Sequence, residues 1–217
     1  MRRAGIIIFA LALAISAGAW AHEKRDQSKP PAPPASTGSD SFALSMRPSL
    51  SVIAPAPEFA LRDPAGKVVR LSDARGQVVL VAFIYTSCTT TCPILGQQMA
   101  ALQKRLKGEK LLPGRVMLLS VTVDPARDNA AVLARYASAL GADPAGWGFL
   151  RDTAEALAPV LGAYQEWTKA MPDGEIDHPA RLYLIDAGGR IREIYSLSFF
   201  DPRQALIDIR TLAGEGR

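Results

Sequence analysis

The chain has 217 residues, enough for one medium domain with extensions or two small domains. Apolar residues make up 48% and charged residues 21%, a balance that supports a full core and excludes a disordered chain. A net charge of +4, from 25 basic and 21 acidic residues, offers no basic surface for nucleic acid, and two Cys and two His exclude a disulfide framework, a multi-metal site and a cysteine-rich finger.

Met1-Arg2-Arg3 is a short basic start, and an uncharged, mostly apolar run follows it to Ala21. Ala19-Trp20-Ala21 has the small-x-small form of a signal-peptidase site, and cleavage there leaves His22 first. The 18 residues Ala4 to Ala21 also reach the lower edge of the roughly 17–25 that span a bilayer. Residues 1–21 therefore read as a signal peptide or an N-terminal membrane anchor. Both readings keep Arg2 and Arg3 inside and export the rest, to the periplasmic side of the inner membrane, tethered or soluble. No Cys follows the run, which excludes a lipid-modified anchor at this site. Removal of residues 1–21 leaves 23 basic against 21 acidic residues, a net +2, so the basicity says little about partners.

Residues 22–52 form a Pro/Ser-rich linker centred on Lys29-Pro30-Pro31-Ala32-Pro33-Pro34, extended and semi-rigid. One domain, residues 53–217, follows. Phe59-Ala60-Leu61 and Val68-Val69-Arg70-Leu71, joined through Asp63-Pro64-Ala65-Gly66, predict a small hairpin. The continuous apolar run Val78 to Tyr85 predicts a strand buried on both faces. Ile94, Leu95, Met99, Leu102 and Leu106 fall at helical spacing, with Pro93 suited to the first turn. Val116 to Val123 is a second buried strand. A helix through Val132, Leu133, Tyr136 and Leu140 follows, with Asp128 as its expected N-cap and Gly141 as its end. Phe149 to Arg151 is a short strand, and Asp152 or Thr153 caps the helix of Leu157, Val160 and Leu161. Arg181 to Asp186 and Ile191 to Ser196 form a closing hairpin, and Asp201-Pro202 opens a last helix. Strands alternating with helices predict an α/β fold of thioredoxin-like type: a mainly parallel central sheet, an antiparallel hairpin at one edge, and an N-terminal β-hairpin extension.

Cys88-Thr89-Thr90-Thr91-Cys92-Pro93 lies between the end of the first long strand and the start of the next helix. Open α/β sheets bind ligands beyond the carboxyl ends of their strands, and a helix N-terminus favours thiolate. The spacing places the two Cβ atoms roughly 5–6 Å apart if the segment is helical, which suits a disulfide or two thiolates on one metal ion. His178 precedes Pro179 in the loop before the Arg181 strand, and in this fold that loop approaches the cysteine-bearing helix start. Two thiolates and one imidazole suit Cu(I), or Cu(II) with a further oxygen or water; a catalytic zinc with one water has the same protein ligands. Asp124 ends the second strand on the same edge of the sheet, where it would orient His178 or meet a partner. His22, if first in the mature chain, would offer its amine and imidazole to Cu(II).

With Phe83 to Pro93, Ser120 to Asp128, and Asp177-His178 leading into Leu182 to Asp186, the chain resembles the Sco/SenC proteins over roughly Pro57 to Leu212. The resemblance implies a thioredoxin-like fold and copper held by Cys88, Cys92 and His178. It also implies a metallochaperone that delivers copper to, or prepares, the copper-bearing subunit of cytochrome c oxidase or another exported cuproprotein. Many such proteins carry Pro-Asp-Val where this chain has Thr89-Thr90-Thr91, and a small hydroxyl residue where it has Pro179. The alternative is a thiol–disulfide oxidoreductase with Cys88 and Cys92 as its redox pair, reducing the cysteines of a target copper site and itself restored by a thiol reductase. A peroxidase fits less well, because no Pro-x-x-x-Thr-x-x-Cys motif is present. A purely structural disulfide is the remaining option.

Overall fold

The computed structural model describes residues 48–215, so residues 1–21, His22 and the proline-rich part of the linker lie outside the described residues. The elements in chain order are β1 (Ala54–Pro55), β2 (Ala60–Arg62), β3 (Val68–Arg70), β4 (Val78–Ile84), α1 (Cys92–Gly108), β5 (Val116–Thr122), α2 (Ala130–Ala139), β6 (Trp147–Leu150), α3 (Ala154–Ala163), β7 (Lys169–Ala170), β8 (Ile176–Asp177), β9 (Arg181–Ile185), β10 (Arg190–Ser196) and α4 (Pro202–Glu215).

One six-stranded sheet, ordered β1-β10-β9-β4-β5-β6, organises the molecule. All seven residues of β4 are buried, which explains why its sequence is continuously apolar instead of alternating. β4 pairs in parallel with β5, and β5 with β6; β9 joins β4 antiparallel and β10 returns beside β9. Four of the six strands (β4, β5, β6 and β10) therefore run one way, the expected mainly parallel α/β arrangement of a thioredoxin-like fold. β2 and β3 form the expected separate hairpin. Helices α1 and α4 pack on one another, and α4 also meets β4. Phe83, Tyr164 and Tyr183 cluster at centroid distances of 5.0–5.9 Å within the core, Tyr183 standing edge-on to the other two.

The structure departs from expectation in three places. Leu50, inside the segment expected as linker, packs with the domain: its side chain is buried and its carbonyl accepts from Arg192 Nε at 2.6 Å. The stretch before His178 is not a plain loop but a second small hairpin, β7 against β8, turned at Gly174 with φ +86°. Two-residue strands are too short to show a period, so the pattern did not reveal them. Third, Asp128 is not the N-cap of α2. Asn129 is, its side chain accepting from Val132 N–H at 3.1 Å. Asp128 is wholly buried and accepts instead from Thr86 N–H at 3.1 Å and from the hydroxyls of Thr86 and Thr122. Both residues suit an N-cap, and the choice is tertiary: the threonines at the ends of β4 and β5 need an acceptor.

Candidate metal centre

The parallel register of β4 and β5 runs to Ile84 opposite Thr122, and Val123 N–H still bonds Ile84 C=O at 2.8 Å. The chains leaving both strands therefore emerge side by side. Thr86, tied to Asp128, fixes the exit of β4 two residues before Cys88. Helix α1 then starts at Cys92 with no side-chain cap from Thr91. Its first N–H is taken by sulfur instead: Cys92 N–H points at Cys88 Sγ at 3.3 Å. The hydroxyls of Thr90 and Thr91 each lie 3.8 Å from the same sulfur.

These contacts polarise the pair. Both cysteines are free and buried. Burial opposes ionisation of Cys88, but hydrogen bonds from the Cys92 N–H and thiol and from Thr90 outweigh it and lower the Cys88 thiol from 9.0 to about 6. Burial pushes the Cys92 thiol up to about 12; the Tyr85 backbone opposes this, while hydrogen bonding to Cys88 and the nearby Cys88 and Glu175 charges add to it. One thiolate and one thiol thus stand side by side at neutral pH.

The β7–β8 hairpin carries His178 to this place, and a chain of contacts fastens it there. Glu175 accepts from the Tyr85 hydroxyl and from Thr89 Oγ1 at 2.8 Å, joining the hairpin to the cysteine loop. Hydrogen bonds from Tyr85 and Thr89 hold the Glu175 carboxyl below its ordinary range. Ile176 N–H donates to the Tyr85 hydroxyl at 3.2 Å. Arg127 pairs with Asp124, donates through Nη1 to Gly174 C=O at 2.6 Å, and lies 5.9 Å over the Tyr85 ring. Asp124 therefore acts on the hairpin through Arg127, not on the imidazole. The carboxylate against His178 is Glu166, whose Oε2 lies 3.3 Å from Nδ1. The His178 ring also stands edge-on to Tyr85 at 5.8 Å.

A cavity of about 320 Å³ joins the two halves: Thr90 and Thr91 from the cysteine loop, Tyr85 from β4's exit, and Glu175, His178 and Ala180 from the hairpin and its sequel. The cysteine loop and His178 so share one cavity, which neither cysteine itself lines, and among the described residues no three His, Cys, Asp or Glu side chains form a ready cage for a metal ion. The donor set suits a soft ion in low coordination: one preformed thiolate, an adjacent thiol that ionises on binding, and an imidazole across the cavity. Closing the set requires the cysteine loop and the His178 hairpin to draw together. Sequence reasoning did not identify Tyr85, Glu175 or Glu166. Glu166 in particular looks like an ordinary polar residue beyond a helix. No helix among the described residues is long and apolar enough to cross a membrane.

The chain is similar to known proteins in sequence and fold. The chain is 34% identical over 144 residues to the mitochondrial SCO2 homolog of Bos taurus, covering 64% of this chain and 53% of that one, so it spans about half the length of this curated relative. A SCO1/SenC family lipoprotein of Bacillus anthracis superposes with TM-score 0.67 at 28% identity, over 79% of this chain and 99% of that one. Bradyrhizobium japonicum ScoI, with copper bound, superposes with TM-score 0.63 at 28% identity, over 73% and 99%. BsSco, which has a disulfide switch and belongs to the Sco family of cytochrome c oxidase assembly proteins, superposes with TM-score 0.64 at 27% identity, over 76% and 96%. The SCO1/SenC family model matches residues 51–214, nearly the whole of the described structure, and the chain belongs to that family.

Proposed function

We propose that this protein binds one copper ion through Cys88, Cys92 and His178 and passes it to, or prepares, the copper centre of cytochrome c oxidase or another exported cuproprotein. The observation that carries the reading is a polarised thiol pair whose loop residues Thr90 and Thr91 line one cavity with His178, in a family with a copper-bound relative. Cu(I) meets the Cys88 thiolate first, and Cys92 then releases its proton as its sulfur joins. His178 completes a three-coordinate site, and movement of the hairpin opens it for ligand exchange with a partner's sulfur or imidazole. Export of the domain, tethered at or released from the outer face of the inner membrane, places it where such targets sit. Anaerobic titration with Cu(I) against a competing chelator tests the site. One equivalent should bind tightly, and Cys88→Ser, Cys92→Ser and His178→Ala should each weaken it; tight binding retained in all three sinks the assignment.

A second reading has its own support, since the same polarisation is what dithiol exchange uses. Here the Cys88 thiolate attacks a disulfide in the target and expels one target sulfur as thiolate. Cys92 then loses its proton and attacks Cys88 Sγ, releasing the second target sulfur and leaving a Cys88–Cys92 disulfide. The target gains two electrons and the pair loses two; a thiol reductase restores the dithiol. His178 separates the readings: a copper donor loses affinity in His178→Ala, whereas an exchange protein keeps most of its rate.

A further inference from the structure

The cavity beside the cysteine loop holds a donor to which neither the cysteine motif nor the scarcity of histidine points. Met171 lines it together with His178. The chain has five Met and two Cys. Among the described residues, Met99 is buried in α1 and Met117 is half-buried at the end of β5 away from the cysteines. Met171 alone among these brings sulfur to the cavity wall, and it is 38% exposed. A side chain left that open gains little from burial, so packing does not account for its place.

The backbone fixes where Met171 stands. Residues 171–174 form a turn with Pro172 at its second position and Gly174 at φ +86°. Gly174 N–H donates to Met171 C=O at 3.0 Å, and Met171 N–H donates to Glu175 C=O at 2.9 Å. Residues opposite one another on a hairpin put their side chains on one face. Glu175 uses that face to reach Thr89 Oγ1 at 2.8 Å, and Met171 meets Thr90 and Thr91 around the cavity. Arg127, donating to Gly174 C=O at 2.6 Å, pins the same turn. A thioether is a soft, polarisable donor that suits Cu(I) and carries no proton to lose.

We propose that Met171 is a further copper donor: its thioether receives Cu(I) at the cavity and hands it by ligand exchange to Cys88, which does not itself line the cavity. The proposal rests on the copper-site reading above and adds an entry ligand to it. Cys88 remains the first of the three resting ligands to bind. Cu(I) keeps its oxidation state, exchanging a neutral thioether for the Cys88 thiolate, and the charge on the thiolate drives the exchange inward. Met171→Leu nearly conserves volume and removes the donor.

The test uses Cu(I) and the reduced full-length protein. In Cys88→Ser/Cys92→Ser, Met171 and His178 are the donors left at the cavity. X-ray absorption at the copper edge should show a sulfur neighbour there, and adding Met171→Leu should remove it. With ¹³C-methyl methionine labelling, the Met171 signal of the serine variant should shift on addition of Cu(I) while those of Met99 and Met117 stay in place. Met171→Leu alone should load Cu(I) more slowly than wild type and reach the same final affinity, because the resting ligands are unchanged. No bound copper in the serine variant, copper with no sulfur neighbour, or a sulfur neighbour that survives Met171→Leu overturns the proposal. So does a Met171→Leu protein that loads as fast as wild type, an arm that needs no serine variant to fold. Tight binding retained in each of Cys88→Ser, Cys92→Ser and His178→Ala removes instead the copper-site reading beneath it.

Discussion

The sharpest expectation concerns the ionisation of Cys88, since both functional readings use it. With a pKa of about 6, Cys88 is roughly nine-tenths thiolate at pH 7, whereas a free cysteine near 8.5 is only about 3% thiolate. A less basic thiolate is also a weaker nucleophile, by about one decade over this range. Relative to free cysteine, Cys88 should therefore react with iodoacetamide about tenfold faster at pH 6, about twofold faster at pH 7, and more slowly above about pH 8. Burial lowers the absolute rate but not the midpoint of its pH profile. Thr90→Val removes a hydroxyl 3.8 Å from the sulfur, a long contact, so about 0.5 kcal/mol is lost and the midpoint should rise by about 0.4 pH units. The assay is limited alkylation from pH 4.5 to 9 with peptide mapping of the modified cysteine. A wild-type midpoint near 8.5, or modification of Cys92 before Cys88, refutes the polarised pair.

Other expectations follow from the same contacts. At pH 7 to 8 the two thiols together carry about one proton and at pH 5 nearly two, so Cu(I) binding should release about one and about two protons from them respectively. Affinity accordingly rises with pH, and calorimetry in buffers of different ionisation enthalpy reads the count; a release independent of pH in this window contradicts it. Asp128→Ala strands the half-buried Thr86 N–H and the buried Thr122 hydroxyl and should lower stability by about 3–5 kcal/mol, read from urea melts. A loss below about 1 kcal/mol would show that Asp128 is not the tie between β4 and β5. Glu175→Ala frees the hairpin from Thr89 and Tyr85, so the Ile176 and Ala180 amides should exchange faster with deuterium while the melting temperature holds. Unchanged exchange at both amides would mean that the hairpin is secured without Glu175.

Much of this molecule is legible in its sequence because burial leaves a period. β4, β5 and α1 announce themselves through continuous apolar runs or helical spacing, and the cysteine motif sits where a strand end meets a helix start. His178 is conspicuous because only two histidines exist. The residues that aim and fasten these groups leave no such trace. Glu166 and Glu175 are acids in polar stretches, and nothing local distinguishes a wholly buried one from a solvated one. The N-cap falls on Asn129 and not on the expected Asp128 because both residue types cap helices. Only the threonines brought close by the parallel register decide between them. Asp124 is placed correctly at the sheet edge, but its action passes through Arg127, a link that needs the hairpin's position in space.

The sulfurs and the imidazole are held by different means, and this bears on how copper could leave. The cysteine pair is set by the backbone: the exit of β4, the first N–H of α1, and a threonine loop between them. Such a pair changes little without unwinding the helix start. His178 sits on a two-strand hairpin held by side chains alone, through Glu175, Arg127 and Glu166. The part of the site most easily displaced is therefore the imidazole, with the thiols left in place. If copper is held as proposed, a partner that competed for Arg127 or Glu175 would loosen the hairpin and withdraw the imidazole, leaving copper on two sulfurs and open to exchange. Dithiol chemistry needs no such release, so a Glu175→Ala variant that speeds copper transfer to an acceptor without changing exchange with a disulfide would favour the donor reading. Equal effects on both, or on neither, would count against it.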